Sequence, residues 1–96
     1  MTDVSQEDLA AQIEAELQKL TVADVLLHTA STVASLGYRK LGSEEPDLAQ
    51  ARLAIESLKA IVPQLDGAVG DEILHDFRQV IVNLQLAYAD AASRGS

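Results

Sequence analysis

Two constellations in the 96-residue chain combine residue types that could do chemistry. Glu72 and His75, in "DEILHD", form a Glu-x-x-His pair of the kind that each motif-bearing helix contributes to a carboxylate-bridged di-iron bundle. A homodimer would supply it twice. A di-iron centre also needs inward-facing Glu from two further helices, and Glu56 is the only acid deep within the third predicted helix. The spacing turns His75 away from the apolar positions Ile73, Phe77 and Val80, toward Arg78 and Gln79. Glu72 falls in a first helical turn, where the helix dipole favours a carboxylate. The pair reads as surface, and no metal or other cofactor is expected.

Asp24, His28, Ser31, Thr32, Ser35 and Arg39 share one strip of the second predicted helix, and Asp, His and Ser in a row invite comparison with a catalytic triad. Triad groups converge on one point from separate elements, whereas residues on one helix face project side by side. No Gly-rich turn supplies an oxyanion hole or a phosphate cradle. The strip reads as a solvated face, with Asp24 and His28 an ordinary i, i+4 pair, and no catalytic residue is assigned.

The elements that would position these residues follow from periodicity and punctuation. A first helix over about 5–19 opens at Ser5 and sets Leu9, Ile13 and Leu17 on one stripe. A second, over 22–41, opens at Thr21, with Asp24 completing a short version of a capping box, and stops at Gly42. A third, over 47–63, carries Leu48, Ala51, Ile55, Leu58, Val62 and Leu65 at alternating spacings of three and four, the pattern of a packed seam. Its start has two candidates, Asp47 as cap after Pro46, or Ser43 as cap with Pro46 in the first turn. Pro63 removes a hydrogen bond, so the helix should stop near Val62 with Leu65 packing from the loop. A fourth helix, over 71–92, carries Ile73, Phe77, Val80, Leu84, Ala87 and Ala91 as one seam, with Leu74, Ile81 and Tyr88 on a second stripe. Residues 93–96 are expected to fray, and the terminal Gly-Ser could be an expression scar.

The second helix is unusual in being thinned to small residues through "TASTVASLG". Ala30, Ala34 and Gly37 line up as a groove that a partner helix can approach closely. Either the fourth helix fills that groove within one bundle, or a symmetry mate does. The apolar faces of the second and fourth helices favour the symmetry mate, with Ala30, Ala34, Gly37, Leu41, Leu74, Ile81 and Tyr88 as the helix–helix interface of a homodimer.

Composition narrows the function classes. Apolar residues are 48% of the chain and aromatics only 3%, so Ala, Leu, Ile and Val must build the core, which suits helices. The absence of cysteine excludes disulfides and thiolate metal sites. The net charge is −8, made of −4 over 1–20, +1 over 21–42, −3 over 43–66 and −2 over 67–96. A chain this acidic lacks the basic stripe that nucleic-acid binding requires. The acidic polar face of the first helix would be repelled by anionic lipid. No secretory signal or membrane-spanning stretch is read, and a cytoplasmic location is expected.

"LLHTASTVASLGYRKLG", followed by "DLAQARLAIESLKAIV" and by an acidic start to a last helix ending "LQLAY", resembles the bacterial family catalogued as domain of unknown function 1844. The resemblance spans about residues 21–89 and leaves the first helix outside. The chain departs from the family in "PQLDGAVGDE", where a Lys-Gly-Asn-type turn is usual, and in Gln85, where Arg is common. The resemblance implies no catalytic residue. It does imply a neighbourhood to translation, because in actinobacterial relatives the gene often lies beside that of an initiation factor.

These readings predict an all-α fold, an antiparallel three-helix core plus an N-terminal amphipathic helix, dimerised through helices. The leading function is a non-enzymatic, homo-oligomeric interaction or scaffold module, with Leu9, Ile13 and Leu17 free to face a partner. The alternative is an adaptor of translation that binds a basic protein through the acids of the first helix and "SEEPD". A Glu-x-x-His metal enzyme stands third.

Overall fold

The computed structural model describes residues 5–94. They form α1 (Gln6–Lys19), α2 (Val22–Leu41), α3 (Leu48–Ile61), a 3-10 turn (Val62–Leu65) and α4 (Asp71–Arg94). The fold is all-α, without a strand among the described residues.

The helix starts are set by side chains that accept from backbone amides left unpaired at a helix N-terminus. Ser5 Oγ accepts from the Asp8 amide at 3.1 Å. At α2, Thr21 Oγ1 accepts from the Asp24 amide at 3.1 Å while Asp24 Oδ2 accepts from the Thr21 amide at 3.0 Å, a complete capping box. Asp47 caps α3, accepting from the Gln50 amide at 3.1 Å. The competing candidate, Ser43, instead donates its hydroxyl to the Glu45 carbonyl within the loop.

One helix end lies where Pro63 sets it and another runs past its expected boundary. The α-helical part of α3 closes at Ile61, and Pro63, lacking an amide hydrogen, sits in the 3-10 turn that follows. That tighter turn swings both Val62 and Leu65 into the core, so Leu65 packs from a helical turn rather than from a loop. At the other end α4 continues through Arg94, whose Nε lies 3.3 Å from Asp90 Oδ2, so residues 93–94 are helical rather than frayed. Residues 95–96, with the terminal Gly-Ser, lie outside the described residues.

Helices α2, α3 and α4 pack on one another around two joined apolar clusters. The larger is built from Ala30, Ala34 and Leu41 of α2, Ala51, Ile55 and Leu58 of α3, and Leu84 and Ala91 of α4. The smaller joins Val62 and Leu65 to Leu74, beneath Leu26, Leu27 and Val69. Phe77 and Ile81 touch both clusters. By contrast, α1 packs on none of the other elements.

The register of α4 differs from the sequence reading. Leu74, Leu84 and Ala91 are buried, with Phe77, Ile81 and Tyr88 partly buried between them. Those six positions alternate in spacings of three and four, so they form the true inward seam. Ile73, expected on that seam, is exposed. Phe77, Leu84 and Ala91 lie on the seam as expected and Val80 and Ala87 pack at its edge, but Leu74, Ile81 and Tyr88 take the inward places because two apolar tracks run side by side and only packing selects one.

Candidate interaction surface

The small-residue stripe lies inside the bundle. Ala30 is fully buried, and Ala34, Gly37 and Leu41 are buried with it. A Cβ placed on Gly37 would stand 3.1 Å from Ala54 Cβ and 3.3 Å from Leu84 Cδ2, so glycine is what lets α2, α3 and α4 meet at that level. Leu74 is 2% exposed, and Ile81 and Tyr88 pack against the core clusters. Ala30, Ala34, Gly37, Leu41 and Leu74 are buried in helix–helix contacts within one chain, and Ile81 and Tyr88 are partly buried beside them. Of the two readings of the groove, the intramolecular one describes the structure.

The chemistry-bearing residues are dispersed over the surface. Asp24, His28, Ser31, Thr32, Ser35 and Arg39 are all exposed along α2. Asp24 is already engaged: the Thr21 amide, and secondarily the Thr21 hydroxyl, hold its carboxyl below the ordinary aspartate range. Thr32 Oγ1 donates to the His28 carbonyl at 3.0 Å, a local bond along one helix. Glu72 and His75 line a shallow depression with Asp71 and Asp76 at the start of α4. Among the described residues no three His, Cys, Asp or Glu side chains come together as a metal-binding group.

The structure does bring together apolar surface without a partner. Along α1, Leu9, Ile13 and Leu17 are each more than half exposed and repeat at one-turn intervals, so they form a continuous stripe, with Leu20 equally exposed just past the helix end. A second apolar surface is a groove of about 190 Å³ between α2 and α3. Its floor is the close approach of Gly37 to Ala54, and its walls are Val33 and Leu36 on one side and Leu53 on the other. Gln50 and Ser57 border it, and Lys40 is its only charged lining residue.

Leu53 and Lys40 do not stand out in the sequence. The available signal was weak: Leu53 lies off the α3 seam, flanked on its own face by Gln50 and Ser57, and a lone exposed leucine is ordinary. It acquires meaning only when α2 supplies the opposite wall.

Charge follows the same division. The exposed acids Glu7, Asp8 and Glu14 of α1 make no ion pair among the described residues, whereas Glu16 meets Lys19 at 3.6 Å. No single helix among the described residues is long and apolar enough to cross a membrane. Comparison of the chain with protein-family models, with curated proteins and with solved structures finds no match.

Proposed function

We propose that this protein is a non-enzymatic helical interaction module whose working surface is the Leu9, Ile13, Leu17 stripe of α1. In this reading α2, α3 and α4 are an antiparallel three-helix scaffold, the module acts as a homo-oligomer in the cytosol, and α1 is the arm it presents. The observation that carries the proposal is the exposure of that stripe on a helix that packs on no other element. A 14-residue helix is marginal in water without tertiary packing, so α1 gains most of its stability by docking. An amphipathic helix laid into an apolar groove is a recurrent recognition mode.

A photo-crosslinking residue at Ile13 tests this in living cells. Discrete covalent adducts with a protein are expected from position 13, and none from Ala11 on the opposite face. An Ile13 probe that yields no protein adduct overturns the reading.

The unpaired acids Glu7, Asp8 and Glu14, with Glu44 and Glu45 exposed in the loop after α2, support a second reading. There the partner is a basic protein, and the resemblance to domain of unknown function 1844 points to the translation apparatus. Such a complex would weaken steeply as salt rises, which distinguishes it from an association held by the apolar stripe.

A further inference from the structure

Resting on the reading of α1 as the working surface, we infer that its stripe docks in the α2–α3 groove of a second copy of this chain, giving a dimer with reciprocally exchanged arms. The dimensions correspond. Leu9 to Leu17 covers about 12 Å of helix, and Val33 to Lys40 on one wall covers about 10 Å. The Gly37–Ala54 approach lowers the floor of the groove between walls of Leu36 and Leu53, where a central isoleucine can seat.

Charge corresponds too. The only charged lining residue of the groove is the cation Lys40, which makes no ion pair among the described residues. On α1, Glu7 and Glu14 lie seven residues apart on one flank of the stripe and are likewise unpaired. A docked arm sets an acidic flank beside a single basic rim.

The exposed area calls for an association of this size. The chain exposes 7077 Å², against about 5,300 Å² for a compact monomer of its mass. The excess, ~1,800 Å² per chain or ~3,600 Å² for a pair, lies in the range that obligate homodimers bury. The radius of gyration is 18.3 Å, against about 12.5 Å for a compact domain of this length. The linker directs α1 away from the groove of its own chain. Leu20 and Thr21 are both extended, Thr21 is fixed by the capping box, and α1 leaves α2 at 86°. In that conformation α1 projects away from its own bundle and packs on none of α2, α3 and α4. A two-fold axis instead satisfies both arms at once, each filling the other chain's groove.

Sedimentation equilibrium of the full chain, of Ile13→Glu, of Leu53→Glu and of their equimolar mixture tests the inference. Both substituted positions are more than half exposed, so neither change disturbs the core. The wild type is expected to dimerise, and each variant to do so ~10-fold or more weakly. The mixture is expected to recover association, because the intact arm of one variant meets the intact groove of the other. Lys40→Glu serves as a second groove variant and should weaken the dimer in the same direction.

A wild type that stays monomeric at all concentrations overturns the exchange, and so does a compact monomer with a radius near 12.5 Å. Either result leaves the interaction-module reading standing if Ile13 still cross-links to another protein. A dimer insensitive to Ile13→Glu overturns the exchange and removes its support from the α1 surface. A dimer sensitive to Ile13→Glu but not to Leu53→Glu, or a mixture without recovery, overturns the exchange alone.

Discussion

Thr21 and Asp24 hold one another at the corner between α1 and α2: the Thr21 amide donates to Asp24 Oδ2 at 3.0 Å, and the Asp24 amide donates to Thr21 Oγ1 at 3.1 Å. The pair starts α2 at the corner where α1 and α2 meet at 86°.

Because the Thr21 amide donates to it, the Asp24 carboxyl titrates below the usual aspartate range. A depressed folded-state pKa stabilises the fold above the unfolded value of about 3.9, and that contribution is lost as pH falls through the lower folded value. Carbon-detected NMR titration of Asp24 should give a midpoint below about 3.9 in the wild type. Thr21→Ala keeps the amide, the larger cause, and removes the hydroxyl, so it should move the midpoint only part of the way toward the ordinary value, while loss of the cap reduces stability by about 1 kcal/mol. A midpoint that Thr21→Ala leaves in place would assign the shift to the amide alone.

Gly37→Ala sets two effects against each other. Replacing a mid-helix glycine by alanine ordinarily stabilises a helix by up to about 1 kcal/mol. Here the new methyl meets Ala54 Cβ at 3.1 Å, which is fixed to its backbone, and Leu84 Cδ2 at 3.3 Å, which can rotate away. The overpacking should win, giving a net destabilisation, and Gly37→Leu should cost roughly 1–3 kcal/mol. Ala54→Gly in the Gly37→Ala background should recover part of the loss. Urea denaturation of the four chains of that cycle measures the coupling, and additive effects would show that the two residues do not touch.

The register of α4 can be checked by paired truncations. Leu84 is fully buried and Leu86 is 65% exposed, so Leu84→Ala should cost about 2–5 kcal/mol and Leu86→Ala under about 0.5 kcal/mol. Leu74→Ala should likewise cost far more than Ile73→Ala, since Leu74 closes the smaller cluster and Ile73 faces outward. Equal losses at positions 73 and 74 would restore the seam that spacing alone suggests.

What could be read from residues alone divides along physical lines. Helix starts were legible because Ser5, Thr21 and Asp47 act within one turn, where spacing decides geometry. The α3 seam was legible because only one apolar track runs along it. Selecting between the tracks of α4 requires knowing its neighbours: spacing puts Leu74 and Ile81 on a second stripe facing a partner helix, and the bundle of the same chain draws them in. The small residues of α2 announced a close approach correctly, but not that Ala54 and Leu84 of the same chain make it. The groove at Leu53 was illegible for the opposite reason: each wall looks ordinary until α2 and α3 face one another.

Hydrogen exchange along α1 distinguishes an arm that docks from one that merely projects. With 14 residues and no contact to the other elements, α1 in an isolated chain should protect its amides little. Burial of Leu9, Ile13 and Leu17 in another chain would couple that protection to concentration, while the amides of α3 and α4 stay protected throughout. Exchange measured across a hundredfold range of protein concentration should therefore slow selectively over residues 9–19, and Leu53→Glu should abolish the change. Slow exchange that is already present at the lowest concentration, and indifferent to Leu53→Glu, would mean that α1 is stabilised within its own chain.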